Sequence, residues 1–332
     1  IVEQLLRERR IHEIGTGPSS GGRSHILLEV DPKGASVVGI EITERFVQGA
    51  LANLKGEEEA SLSTPLRSTK PAAVIQTIAG LVKHLIRKAN VSQNDVASIG
   101  VAVPGLLNPR DGAVELSVPL GWKNVALRDQ LEDKTGLKVH IVNNAIAATL
   151  AEHFEGQGQG MRNILFFLVH FQDVRDSHFV NMGCGIILDG RPYFGEKHTA
   201  GEIPTRINHP LARLKSSGRK LTLQALVQAG VQKDAFAVKL WDAFAADLSS
   251  VIAYGIDFLS PGRVIIGSDL PELETLVKTS LLHSVRNTTV STKADSVEIF
   301  FSNLGSKAIL RGAIIRALET ISTMPMLLSP LT

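Results

Sequence analysis

Apolar residues in IVEQLLRERRI, residues 1–11, recur at helical intervals, with Arg7, Arg9 and Arg10 mostly off the apolar face. HEIG then reads as a short strand, TGPSSGGRS as a turn-rich tip and HILLEV as the returning strand. This order fits the rear half of a winged helix, and equally a helix and hairpin packed on the next domain. After Asp31-Pro32-Lys33-Gly34, the segments SVVGIEIT, FVQGALANL and EEEASLSTPL suggest an antiparallel meander with short turns. PAAVIQTIAGLVKHLIRKA, from Pro71 to Ala89, is amphipathic at a helical period and carries its proline in the first turn. VASIGVAVPG is a nearly continuous apolar run, as a buried central strand requires, and Pro104-Gly105 turns the chain at its end. LKVHIV is another buried strand, running straight into a helix from Asn143.

The second half repeats the theme. NILFFLVHF reads as a strand, and HFVNMGCGIILDGRPYF as a hairpin turning at Asp189-Gly190. Between them QDVRDS is a polar, charged bridge with the look of an insertion. KDAFAVKLWDAFAADLSSVIAYGIDFLS is a long helix, RVIIGSD and VEIFFSN are strands, and SKAILRGAIIRALETI is a closing helix. A strand meander followed by helices, occurring twice, predicts two related α/β lobes with a cleft between them.

Composition narrows the classes. The chain has 332 residues, enough for about two or three domains. Its 44% hydrophobic and 20% charged residues describe an ordinary globular protein. The net charge of +2 does not by itself imply nucleic acid, although a local basic patch could. One cysteine, Cys184, excludes an intramolecular disulfide and any zinc site of several thiolates, and fits a reducing, cytoplasmic setting. There is no apolar run long enough for a membrane span and no signal peptide. The chain opens at Ile1 inside an apparent helix without a Met, so further residues are expected ahead of it.

Six segments, in this order, carry a resemblance: EIGTGPSSGGRSHILLEV, IGVAVPGLLNPRDGAV with LGWKNVAL, IVNNAIAATLAE, GCGIILDGRPYFGEKHTAGEI, VIIGSD and SNLGSKAILRGAI. They resemble the ROK family of bacterial repressors and sugar kinases, and the likeness covers essentially the whole chain. It implies an α/β, actin-like ATPase (ribonuclease H-like) fold of two lobes, preceded by a winged-helix remnant. The domains expected are 1–32 for the rear of the winged helix, 33–142 for the first lobe with the closing helix 305–322, and 143–304 for the second lobe. Kinases of the family start near SVVGIEI, whereas its repressors carry a winged helix first; the wing segment therefore favours the repressor branch. Arg7, Arg10 and Arg23 are its candidate DNA contacts; Arg23, with small residues around it in the wing, can approach phosphates or a minor groove closely.

Phosphoryl transfer needs glycine turns to cradle phosphates, a carboxylate for the metal and a base for the hydroxyl proton. The family's kinases have an Asp followed by a Gly-Gly-Thr turn after the first strand. Here the chain reads GIEITERF, with Glu41 at the Asp and no glycine turn. Glu41 is expected at the surface or in a salt bridge. The second phosphate turn, usually Gly-Thr-Gly-x-Gly-x-Gly, corresponds to HFVNMGCG: Gly183 and Gly185 persist, while Val180 and Asn181 replace the Thr and Gly. Asn144 stands where the resemblance puts the base, and a neutral amide cannot act as one. The expectation is a chain without kinase activity.

A sugar site is still implied. Asn143 matches the family's sugar-contacting Asn, Asn144 can still bond a hydroxyl, Glu202 matches the sugar-contacting Glu and Gly105 lines the same cleft. Pro119 replaces an Asn common in relatives, and Thr205 replaces a His. His198 and His209 are further candidates, each more simply read as a solvated loop histidine. Most relatives hold a zinc through a His and three Cys; NHPLARLKSSGRKLT has no cysteine, so neither metal nor cofactor is expected. The reading is a homodimeric regulator that binds operator DNA and senses a sugar-like ligand. The alternatives are a kinase with variant motifs and a pseudo-enzyme acting through protein contacts.

Overall fold

The computed structural model describes residues 2–18, 25–108, 110–174, 177–203, 207–214, 221–290 and 297–321, with backbone alone at 172–174 and 177–178. Among the described residues the chain divides into two compact units, one running to Ala147 and completed by 309–321, the other of Ala148–Ala308.

The first unit opens with helix α1 (Val2–Arg7) and an antiparallel pair, β1 (Ile11–Thr16) and β2 (Ile26–Val30), in which Ile11 faces Val30 and Thr16 faces Ile26. Helix, strand and returning strand follow the order expected. The tip at 19–24, and Arg23 with it, lies outside the described residues. The main sheet holds β3 (Ser36–Ile42), β4 (Phe46–Asn53), β5 (Glu58–Pro65), β6 (Val96–Val103) and β10 (Val139–Asn143) in the order β10-β6-β3-β4-β5. β3, β4 and β5 form the antiparallel meander; β6 and β10 add to β3 in parallel. One face is covered by α2 (Pro71–Ala89), which buries Val74, Ile75, Ile78, Leu81, Val82 and Leu85. Each such side chain contributes about 1.5–3 kcal/mol relative to exposure. α2 ends where Asn90 takes φ 55° and the amides of Asn90 and Val91 donate to Arg87 O and Ile86 O.

The other face is covered by the closing helix α8 (Ala308–Glu319): Leu310, Ile314, Ala317 and Leu318 pack on Val37, Ala50 and Ala52. The helix lies so close that a Cβ on Gly100 would fall 1.9 Å from the Ala313 carbonyl oxygen. A small sheet of β7 (Leu106–Asn108), β8 (Ala113–Ser117) and β9 (Trp122–Val125) follows the Pro104-Gly105 turn, then α3 (Leu127–Thr135). The hydrophobic pattern had not shown this sheet because its strands are short. Trp122 is buried and donates its indole N–H to Thr69 O at 2.6 Å.

α4 (Asn144–Glu155) begins one residue after the expected start and carries the chain into the second unit. There the sheet order is β13-β12-β11-β14-β15, formed by β11 (Ile164–Val174), β12 (Ser177–Leu188), β13 (Arg191–Pro192), β14 (Arg263–Ser268) and β15 (Glu298–Phe301). β12 turns into β13 at Asp189 and Gly190, both at positive φ, as a two-residue hairpin requires. α5 (Leu223–Val231), α6 (Ala235–Leu259) and α7 (Leu273–Thr288) complete the unit, with Trp241, Phe244, Leu248, Ile252 and Ile256 on the buried face of α6. β11 and β12 stay paired from Ile164 opposite Ile187 to Val174 opposite Ser177, so the described ends of the polar bridge QDVRDS belong to the two strands. Polar side chains misled the pattern because both strands continue past β14, whose pairing stops at Val169 opposite Ser268.

Candidate functional site

The joint of β10 and α4 places Asn143 and Asn144 at a helix N-terminus. Asn143 Oδ1 accepts the Ala145 amide at 2.8 Å and so caps α4. Its Nδ2 donates to Gly105 O at 2.8 Å, tying the joint to the Pro104-Gly105 turn. The amide keeps one N–H and one lone pair for a ligand. Gly105 has φ 125°, and a Cβ there would sit 2.2 Å from Leu116 O, so only glycine fits. Asn144 is 7% exposed, and its Oδ1 has no hydrogen-bond partner among the described residues. A buried amide left this way costs about 1–3 kcal/mol and calls for a donor from water or ligand. Next to the positive end of α4 an Asp would ionise readily; the Asn stays neutral.

In the second unit Glu202 bridges to Gly183 of β12, and the Cys184 amide donates to Gly201 O at 2.9 Å. Gly201 has φ 85°, and a Cβ there would fall 1.8 Å from Cys184 O. Glu202 is exposed, yet the protein around it removes enough water to push its carboxyl above the usual range. Thr205 lies outside the described residues. His198 is exposed and stands at φ 55° in a turn where its amide donates to Gly195 O. His209 corrects the expectation of a solvated loop side chain. It is 1% exposed, its ring meets Phe171 edge-on at 5.5 Å, and its Nδ1 accepts the Leu211 amide at 3.0 Å. Phe171 also packs on Trp241 and Phe244, so this imidazole belongs to an aromatic core. Cys184 is buried, its thiol pKa pushed up to about 12 by loss of water.

Both turns that the resemblance aligns with the kinases' phosphate cradles have other uses. Between β3 and β4, Thr43 Oγ1 accepts the amides of Arg45 and Phe46 at 3.2 and 3.0 Å and donates to Phe46 O at 3.1 Å. Amides that could have faced a phosphate are thus taken by a hydroxyl. Sequence reasoning missed this role, although a Thr opening a tight turn is a recognisable signal. Glu41 is neither a surface group nor exposed: it is 4% exposed and accepts from Gln48 Nε2, its cross-strand partner, at 2.5 Å. In the second unit, Val180 and Asn181 pair with Phe171 and His170 as ordinary ladder residues. Asp269, also missed, accepts the Phe171 amide at 3.1 Å and lies 3.4 Å from His170 Nδ1.

Of the arginines proposed for DNA, Arg7 is exposed in the last turn of α1. The Arg10 side chain is only 25% exposed, with Nε 3.9 Å from Glu8. Among the described residues no group of three or more His, Cys, Asp or Glu could hold a metal, and no helix is long and apolar enough to cross a membrane.

Comparison with known proteins gives these features a family. The xylose repressor of Bacillus subtilis is 23% identical over 92% of this chain and 83% of its own length. A crystal structure of a ROK family transcriptional regulator, a homologue of the E. coli MLC protein, superposes with TM-score 0.79 at 20% identity, covering 96% of this chain and 87% of that one. The ROK hexokinase of Thermus thermophilus superposes with TM-score 0.71 at 23% identity, covering 86% of this chain and 99% of its own. These structural likenesses establish the two-lobed fold shared by the family's kinases and regulators. The ROK family's sequence profile matches residues 37–204 and 210–320, and the chain belongs to the ROK family.

Proposed function

We propose that this chain is a ROK-family transcriptional regulator, a repressor of sugar-related genes, without kinase activity. The observation that carries the reading is the segment ahead of the family domain. The profile begins at residue 37, behind α1, β1 and β2. The regulator structure leaves about 4% of the chain uncovered, fewer residues than precede the profile, so its match reaches into that segment. The hexokinase leaves about 14% uncovered while spanning nearly all of itself. The relative named a xylose repressor likewise covers 92% of the chain. In this reading residues 1–32 are the rear of a winged helix, with Arg7, Arg10 and Arg23 near DNA, and a homodimer in the cytoplasm presents two of them to a two-part operator. Asn144 for the base, and the two occupied turns, support loss of phosphoryl transfer.

Asn143, Asn144 and Gly105 in the first unit are the ligand contacts of this reading, and Glu202, with His198 as a further candidate, is the ligand contact it assigns to the second unit. The unpartnered Oδ1 of Asn144 supports a ligand that brings a hydroxyl to it. The buried setting of His209 speaks against a direct role for it.

The test is selection of DNA from a random duplex library by the whole protein, with the residues expected ahead of Ile1, and by a version that starts at residue 34. Enrichment of a two-part sequence by the first alone is expected; no enrichment by the whole protein contradicts the reading. A thermal-shift screen of pentoses, hexoses and their phosphates places the ligand. Stabilisation abolished by Glu202→Ala is the expected outcome, and a shift unaffected by that change contradicts the site.

A further inference from the structure

The N-terminal hairpin is tied to the rest of the first unit by a specific chain of contacts that leads back to α8. We propose that Arg311 of α8, the turn Asn53 to Glu57 and the Lys55–Glu29 ion pair form a mechanical link through which α8 sets the position of the β1–β2 hairpin. Its regulatory meaning rests on the reading of that hairpin as part of a DNA-binding segment.

The link starts where the chain crosses between units. Among the described residues it crosses twice, within α4 at Ala147 and Ala148, and at Ala308 and Ile309 as α8 begins. Within the first unit these two helices touch: a Cβ on Gly312 would lie 1.7 Å from Ala147 O, so backbone meets backbone. A shift of α4 against α8 is therefore felt at Gly312 without a side chain to absorb it. Arg311 is the neighbouring residue. Its Nη1 donates to Gly56 O at 2.7 Å and lies 3.5 Å from Glu58 Oε1, with the side chain 16% exposed.

Gly56 belongs to a stiff turn. Asn53 Oδ1 accepts the amides of Lys55 and Glu57 at 2.9 and 3.1 Å, and Asn53 Nδ2 donates to Glu57 Oε2 at 2.7 Å. The turn carries Lys55, whose Nζ donates to Glu29 Oε1 on β2 at 2.8 Å. The pairing holds Glu29 below the usual carboxylate range and Lys55 above the usual ammonium range. His12 of β1 faces the same carboxylate at 3.9 Å. A second anchor lies at the base of the hairpin, where a Cβ on Gly34 would sit 1.7 Å from Arg9 O and 3.2 Å from Leu54 of the same region. The hairpin thus rests on the end of β4, and the end of β4 is held by α8.

Hydrogen exchange on the whole protein tests the link without requiring DNA, so its failure is separable from failure of the regulator reading. Arg311→Met is compared with Arg316→Met, which removes an arginine of the same helix paired with Glu319. The expected result is exchange about two- to fivefold faster in β1, β2 and the 53–57 turn for Arg311→Met, with β3 and β6 unchanged and no such effect of Arg316→Met. Glu29→Lys alone should loosen the hairpin similarly, and the swap Glu29→Lys with Lys55→Glu should restore its protection. Unchanged hairpin exchange in Arg311→Met overturns the proposal. So does an equal rise in hairpin and core strands, which would make Arg311 a general stability residue.

Discussion

The sheet of the first unit and the sheet of the second have one plan: an antiparallel hairpin, then two parallel strands added beyond its first strand. They part company where each hairpin turns. β3 and β4 close at once through the Thr43 hydroxyl, whereas β11 and β12 stay paired to Val174 opposite Ser177, well beyond their neighbour β14. A phosphate cradle needs several backbone amides pointing outward without partners. One unit has given such amides to a side chain, the other to a ladder. These two local arrangements, with the neutral Asn144, support the proposed loss of phosphoryl transfer.

The largest effects come from the glycines that fix the backbone beside the proposed ligand contacts of each unit. Gly105→Ala puts a methyl 2.2 Å from Leu116 O, and Gly201→Ala puts one 1.8 Å from Cys184 O, both at positive φ. Each should cost about 2–4 kcal/mol in urea unfolding. Hydrogen exchange should localise the loosening to the first unit for Gly105→Ala and to the second for Gly201→Ala; a substitution that loosened both alike would break the comparison. Next is Thr43→Val, which strips two amides of their acceptor and should cost about 1–2 kcal/mol. If the turn instead proved indifferent, the hydroxyl would not be what closes it.

The smallest effect is a pH dependence. Burial lowers the imidazole of His153 in the second unit; burial and then Arg316 lower that of His140 in the first. A depressed folded-state pKa gives stability that is full above the unfolded value of 6.5 and is lost as pH falls through the folded one. Glu152, raised by burial, has the opposite sign: its contribution is present below the unfolded value of 4.5 and lost as pH rises through the folded one. Melting from pH 7.5 to 5.5 should therefore show both units weakening in acid, and His153→Phe should flatten the slope for the second unit alone.

Much of this architecture was legible as hydrophobic pattern. The amphipathic run at Pro71–Ala89 and the apolar run ending at Val103 became α2 and β6 because burial on one face or two leaves an unambiguous period. The pattern failed where a strand is not defined by burial. β7 to β9 are too short for a period to show, and the outer halves of β11 and β12 are polar because they run beyond β14. Within the site, the placement of Asn143 and Asn144 at a strand–helix joint could be read from the chain. That Asn143 spends half its hydrogen-bonding capacity on Gly105 and Ala145 could not, since Gly105 is 38 residues away in sequence. His209 shows the same limit: a histidine in a polar loop gave no sign of the aromatic cluster of Phe171, Trp241 and Phe244 around it.

The proposed loss of kinase activity requires that neither hairpin binds the phosphates of a nucleotide. Isothermal titration of the protein with MgATP, at up to about a hundred times the micromolar-to-millimolar affinities usual for enzyme substrates, tests it directly. The account predicts no saturable heat, and none for Asn144→Asp, because restoring a carboxylate at the joint leaves both turns occupied. Saturable binding with a hexose-dependent release of ADP would contradict it.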